Sequence, residues 1–133
     1  MNLIKKLVLL LSATLFLYGS ADLKHADSYT DAIEQGIKEK KSVVLFAHSP
    51  FCPWCRKMEA DTLSNQKVIQ LLNEKFIFVT IDLSTDIETE DVPKRFLPQG
   101  TPTTFVIDPT TQEVQFTMRG YKKAKSFIWR LNR

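Results

Sequence analysis

The stretch Val43-Val44-Leu45-Phe46-Ala47-His48-Ser49-Pro50-Phe51-Cys52-Pro53-Trp54-Cys55 decides how this chain reads. Val43 to Ala47 is a short apolar run with β-branched residues, which predicts a buried strand. His48 to Phe51 leads from it directly into Cys52. From Pro53 onward a helix is predicted, because the N–H that proline lacks is one a first helical turn leaves unpaired anyway. The two cysteines therefore stand where a strand gives way to a helix. They are the only cysteines of the 133 residues.

That position favours chemistry over architecture. A disulfide across two intervening residues closes a very small ring and adds little stability by the loop-entropy argument. Exported proteins that use disulfides as staples usually carry several, more widely spaced. A thiolate, in contrast, gains from unpaired backbone N–H groups and the helix dipole at a helix N-terminus. Cys52 is thus the expected nucleophile, with its pKa lowered, and Cys55, one turn further in, the resolving thiol. Pro53 stiffens the turn, and Trp54 adds apolar surface beside it. Phe51 reads either as part of an apolar collar with Trp54 and residues 97–101 or as core.

Two other readings of the pair stay open, an inert buried pair and half of a zinc site. Zinc wants four ligands. The only other candidate ligands are His25 and His48, and His48-x-x-x-Cys52-x-x-Cys55 is not a familiar ligand spacing. No metal is expected, and no nucleotide or flavin motif is present. His48 either supplies a cation that favours the thiolate or packs as a neutral ring. Glu59 lies one helical turn beyond Cys55 on nearly the same side. It either tunes Cys55 or turns to solvent or a nearby base.

Working outward, Ser28 is a candidate N-cap for a helix carrying Tyr29, Ala32, Ile33, Gly36 and Ile37. The helix from Pro53 is expected to end near Leu63. Ser64 or Asn65 caps a second helical piece with Val68, Ile69, Leu71 and Leu72. Phe76 to Ile81 reads as a second strand, residues 84–91 as an acidic loop, and Asp91 to Phe96 as a short helix. Gly100-Thr101-Pro102 signals a turn, and Thr103 to Ile107 a third strand. In residues 113–118, Val114, Phe116 and Met118 alternate with polar residues, as in a half-exposed hairpin strand. Gly120 ends it. Ala124, Phe127, Ile128 and Leu131 recur at i, i+3, i+4 and i+7, an amphipathic helix with Trp129 off its apolar stripe. The order implies a mixed sheet covered by helices on both faces, its first two strands parallel and its last two antiparallel.

Residues 1–21 read as a signal peptide, with Lys5 and Lys6 ahead of the apolar run Leu7 to Leu17 and a cut expected after Ala21. An uncleaved N-terminal anchor is the alternative, although the run falls short of the roughly 20 residues a span needs. Residues 22–133 form the one domain expected, with 16 basic and 15 acidic groups. Such a balance gives no electrostatic case for nucleic-acid binding.

At this point the chain resembles the thioredoxin superfamily. The likeness rests on the strand before Cys52, on Cys52-Pro53-Trp54-Cys55, and on Gly100-Thr101-Pro102-Thr103, and it spans residues 28–133. It implies the thioredoxin fold, an α/β architecture, with a cis bond before Pro102 and no cofactor. It also implies that Thr101 and Pro102, with Pro53 and Trp54, meet an extended substrate segment. Trp54-Cys55-Arg56-Lys57-Met58-Glu59 is similar to a branch of often-exported bacterial members. Thioredoxins bury an acid where this chain has Phe46, and kink their helix with a proline where it has Ala60. The implied activity is thiol–disulfide exchange in a periplasm. Protein disulfides would be the substrates and a membrane-embedded thiol donor the source of electrons. Reduction is the expected direction, because the inserted helical domain of strong oxidants and the dimerisation region of isomerases have no counterpart. A monomer is expected. The alternatives are an oxidase or isomerase, and a binding module whose cysteines are incidental.

Overall fold

A computed structural model describes residues 19–85 and 92–133. The apolar run of the expected signal peptide lies outside them, as do the centre and end of the acidic loop and the first residue of the helix expected at Asp91. The elements are α1 (Tyr29–Glu39), β1 (Ser42–His48), α2 (Pro53–Asp61), α3 (Gln66–Lys75), β2 (Phe76–Asp82), a 3-10 turn (Lys94–Phe96), β3 (Thr103–Ile107), β4 (Val114–Arg119) and α4 (Ala124–Leu131).

The four strands lie in the order β2-β1-β3-β4. β1 and β2 run parallel, in register from Ser42 against Phe76 to His48 against Asp82. β3 runs antiparallel to β1, with Ala47 opposite Thr103, and β4 antiparallel to β3, with Arg119 opposite Thr103. This is the mixed sheet the element order implies.

Alternation along β1 splits the core into two layers. Val43, Leu45 and Ala47 pack with Tyr29, Ala32 and Ile33 of α1 and with Phe96 of the 3-10 turn. Val44 and Phe46 pack on the other face with Met58 of α2, Val68 and Leu72 of α3, and Phe127 and Leu131 of α4. Buried on both faces, β1 has to be apolar at every inner position, which is why its sequence shows a run and no alternation.

Local rules explain the boundaries. Ser28 Oγ accepts the Asp31 N–H at 3.0 Å and starts α1. Gly36 in that helix is there for space. A Cβ on it would lie 2.8 Å from the Lys41 carbonyl oxygen and 2.9 Å from Pro109 Cβ. Ile37, counted on the apolar stripe, faces solvent. Asn65, not Ser64, caps α3, accepting from the N–H groups of Lys67 at 3.0 Å and Val68 at 3.3 Å. Of the helix expected over Asp91 to Phe96, the described residues form one 3-10 turn, Lys94–Phe96. Pro93 takes the extended ψ of 137° and lies outside it. A bulge near Val106 and Ile107 breaks the expected alternation in β4, so Val114 is exposed while Met118 is buried.

Ahead of α1, residues 21–26 are tied to the domain. Ala21 N–H donates to Gln66 Oε1 at 3.1 Å, Lys24 N–H to Asn73 Oδ1 at 2.9 Å, and Ala26 N–H to the Phe78 carbonyl at 2.8 Å.

Candidate active site

β1 and α2 meet at the cysteines. His48 is the last residue of β1, and Cys52 N–H donates to the Ser49 carbonyl at 3.1 Å, closing the intervening turn. Cys52 is the N-cap of α2 in an extended conformation, and Pro53 opens the helix. The Cys55 N–H points at Cys52 Sγ, 3.2 Å away. A backbone N–H that would otherwise be an orphan donor of the first turn thus faces the sulfur. No acidic residue sits in that turn to oppose a negative charge. The two sulfurs are joined in a disulfide. Cys52 is half-buried, whereas Cys55 is 1% exposed.

The second motif comes from across the sheet. β1 pairs with β3, so the loop ahead of Thr103 lies beside the residues that follow Ala47. The Thr101–Pro102 peptide bond is cis. The Thr101 carbonyl oxygen lies 3.5 Å from Cys52 Sγ. Thr103 Oγ1 donates to the Gly100 carbonyl at 2.7 Å, and Gly120 N–H to the Pro102 carbonyl at 2.8 Å, fixing the loop from both sides. A proline at the very start of β3 costs the ladder no donor.

Phe46 fills the sheet position below the helix and is fully buried. Its ring stacks on that of His48, with centroids 5.6 Å apart and 9° between planes. His48 Nδ1 lies 3.7 Å from Glu59 Oε1, so these two candidate tuning residues face each other. His25 lies elsewhere, edge-on to Phe78 with centroids 5.1 Å apart. Among the described residues no group of three or more His, Cys, Asp or Glu side chains is arranged to hold a metal ion.

Around the disulfide the surface is apolar. Phe51 is 84% exposed and Trp54 58%, so Phe51 belongs to the collar and not to the core. Tyr121, which sequence reasoning missed, completes it. Its ring meets Trp54 at 5.8 Å, and its hydroxyl donates to Asp61 Oδ2 at 3.0 Å. Partial desolvation, then the Asp61 carboxylate, raise the Tyr121 pKa above the usual phenol value. Trp54, Thr101, Pro102, Gly120 and Tyr121 line an open hollow of about 380 Å³. The antiparallel register was the available signal, since a residue just past the partner of Thr103 has to end beside Pro102.

A family model described as a thioredoxin-like domain matches residues 29–133. Spermatogenesis-associated protein 20 of Mus musculus is 34% identical over 67 residues, which are 50% of this chain and 8% of that protein. Its Rattus norvegicus counterpart is 32% identical over 82 residues, 56% of this chain and 10% of that protein. The chain therefore spans only about a tenth of the length of the curated relatives it matches. Among solved structures, a thioredoxin from Thermus thermophilus is 25% identical with a TM-score of 0.69, covering 79% of this chain and 82% of that one. The reduced C-terminal domain of Neisseria meningitidis DsbD is 28% identical with a TM-score of 0.63, covering 78% and 93%. DsbH oxidoreductase, at 18% identity and a TM-score of 0.72 over 85% and 84%, is alike in fold.

Proposed function

This chain belongs to the thioredoxin-like family, and from that premise we propose that it is an exported disulfide reductase acting on partner proteins through Cys52 and Cys55. It is a thiol–disulfide oxidoreductase; direction, compartment and residue roles are the finer reading. The observation that carries this reading is the Cys55 N–H aimed at Cys52 Sγ at 3.2 Å, at a helix start beside a cis-proline loop.

In the reduced protein the Cys52 thiolate is stabilised by that N–H and attacks a partner disulfide. One S–S bond breaks as another forms, and the departing partner thiolate takes up a proton. Thr101 offers its backbone to the partner segment, and Pro102, Pro53 and Trp54 shape the surface around it. Cys55 then loses its proton, displaces the second partner sulfur from Cys52, and closes the protein disulfide. Two electrons have passed to the partner. Phe46 cannot accept the Cys55 proton, so Glu59, held against His48 one turn below Cys55, or water takes that role.

Regenerating the dithiol in an oxidising compartment requires an electron source, and a membrane-embedded thiol donor fits that need. The short path from Cys55 through α3 to β2 supports reduction over strong oxidation, since no helical domain is inserted there. A monomer suffices for this chemistry. Signal-directed export to a periplasm is supported by the sequence of residues 1–21. The test is insulin reduction by the full chain together with a redox titration. Turnover and a potential near that of cytosolic thioredoxins, about −270 mV, are expected. A potential near −120 mV, the value of a strong oxidant, without insulin reduction would overturn the direction. A binding module would instead keep its partners after Cys55→Ala without trapping any of them covalently.

A further inference from the structure

A groove of about 550 Å³ adjoins the Trp54–Tyr121 hollow at Pro102. Thr101, Pro102 and Gly120 border both, so the two adjoin, and the Thr101 carbonyl oxygen lies 3.5 Å from Cys52 Sγ. Their chemistry differs. The hollow is walled by aromatic rings, whereas the groove carries two cations, Arg95 and Arg119, and no aspartate or glutamate among its lining residues.

Both arginines are held where the groove needs them. Arg119 ends β4 directly opposite Thr103, the residue after the cis-proline. Arg95 sits on the 3-10 turn. Its Nη2 donates to the Gln112 carbonyl at 3.0 Å, and its guanidinium stands 4.8 Å over the Phe96 ring. One hydrogen bond leaves most of a guanidinium's five donors free. Neither arginine forms an ion pair among the described residues, and both are exposed. Lys122 Nζ donates to the Arg119 carbonyl and adds a third cation nearby. Two unpaired guanidinium groups in a cleft suit carboxylates, which they grip bidentately.

We propose that this groove selects partner disulfides flanked by acidic residues, with Arg95 and Arg119 as the specificity-determining side chains. The inference rests on the exchange reading above and names the substrate class for it. The occupant is a polypeptide segment, because groove and hollow are continuous through Thr101, Pro102 and Gly120 and together run from Arg95 to Trp54, more surface than a single small disulfide covers. Acidic side chains then lie in the groove and apolar ones in the hollow. The redox step is the one already written. Two electrons leave the Cys52–Cys55 dithiol, and the partner departs as two thiols.

The experiment uses reduced full-length chain and three disulfide peptides that differ only in having Glu, Gln or Lys around the cystine. Oxidation of the protein is followed by acid quench and mass spectrometry. At low salt the Glu peptide should react on the order of tenfold faster than the Lys peptide, with the Gln peptide between. The gap should close towards 1 M salt, where the screening length falls to about 3 Å. The Arg95→Glu/Arg119→Glu double variant should invert the Glu-to-Lys rate ratio, and Arg95→Lys/Arg119→Lys should keep its sign. Equal rates for the three peptides, or a ratio indifferent to charge reversal, would overturn this inference alone. Oxidised glutathione reacting as fast as the Glu peptide would overturn the polypeptide occupant. Failure of every disulfide to oxidise the protein would bring down the exchange reading itself.

Discussion

The two layers on the sheet are built from the same materials and do different work. On one face α1 and the 3-10 turn cover Val43, Leu45 and Ala47 with aromatic and aliphatic side chains. On the other, α2, α3 and α4 cover Val44 and Phe46 just as completely. In the second layer α2 starts at Cys52, directly after β1, and there the disulfide sits. The first layer ends in a closed contact, Gly36 against Lys41 and Pro109. Chemistry in this fold thus comes from where one helix starts, while the rest of both layers holds that start in place. If so, changes in the first layer alter stability alone, and changes beneath α2 alter stability and sulfur reactivity together.

The largest expected effect lies at the junction itself. Cys52→Ser should lower disulfide exchange on the order of 10³-fold or more, because the attacking group of the proposed reaction is gone. Cys55→Ala should leave the first attack intact and accumulate mixed disulfides, visible on non-reducing gels. Equal losses of first attack in the two variants would break the asymmetry between the half-buried and the buried sulfur. Next comes Phe46→Ala. Emptying a fully buried aromatic site typically costs about 3–5 kcal/mol, readable by urea unfolding. Because Phe46 also stacks on His48 and packs with Met58 of α2, the rate of Cys52 alkylation should change as well. An unaltered rate would argue that the layer beneath α2 does not position the sulfur.

Much of this was legible in the sequence, for physical reasons that also mark where reading stops. β1, β2 and β3 announce themselves because strands buried on both faces are mostly apolar and β-branched, with Thr80, Thr103 and Thr104 the polar exceptions at inner positions. The junction at Cys52 is legible because a strand signal, a turn and a helix-starting proline follow one another within a few residues. Beside Pro102, only Thr101, Pro102, Trp54 and residues 97–101 were legible. Arg95, Arg119 and Tyr121 are far from Cys52 in sequence; Arg119 and Tyr121 come beside the Pro102 loop through the antiparallel pairing of β3 with β4, and Arg95 through the 3-10 turn that lines the same groove. Ile37 and Val114 misled by periodicity, one beyond the edge of the covered stripe and the other shifted by a bulge. Gly36 reads as a weak point in a helix, yet it is required by a backbone approach that no local pattern reveals.

Gly36→Ala sharpens the layer comparison at smaller cost. The added methyl would meet a backbone oxygen and a proline ring, neither of which moves freely. Overpacking of this kind costs about 1–3 kcal/mol, and Cys52 alkylation should be unchanged. A shift in reactivity as large as that from Phe46→Ala would dissolve the distinction between the layers.

The smallest expected effect is in the lead-in to α1. Partial burial of His25, edge-on to Phe78, holds its pKa below the ordinary 6.5. The folded chain therefore binds this proton less readily than the unfolded chain. Between the two values the unfolded state carries more protons, so stability rises with pH through that window and falls as acid is added. Asp31 and Asp82 also have lowered pKa values, the first mainly through Gln35 and the second mainly through Ser84. Their contribution is lost only at lower pH, as their carboxylates protonate, so the windows separate. His25 is exposed for much of its surface and lines a hollow with Lys24, Glu39 and Lys41, which keeps its effect small. Urea midpoints at about pH 7.5 and about pH 5.5 should differ slightly in the native chain and less in His25→Gln. Cys52 alkylation measured at a fixed pH should be the same in both, since this segment touches the sheet on the side of β2 away from the disulfide.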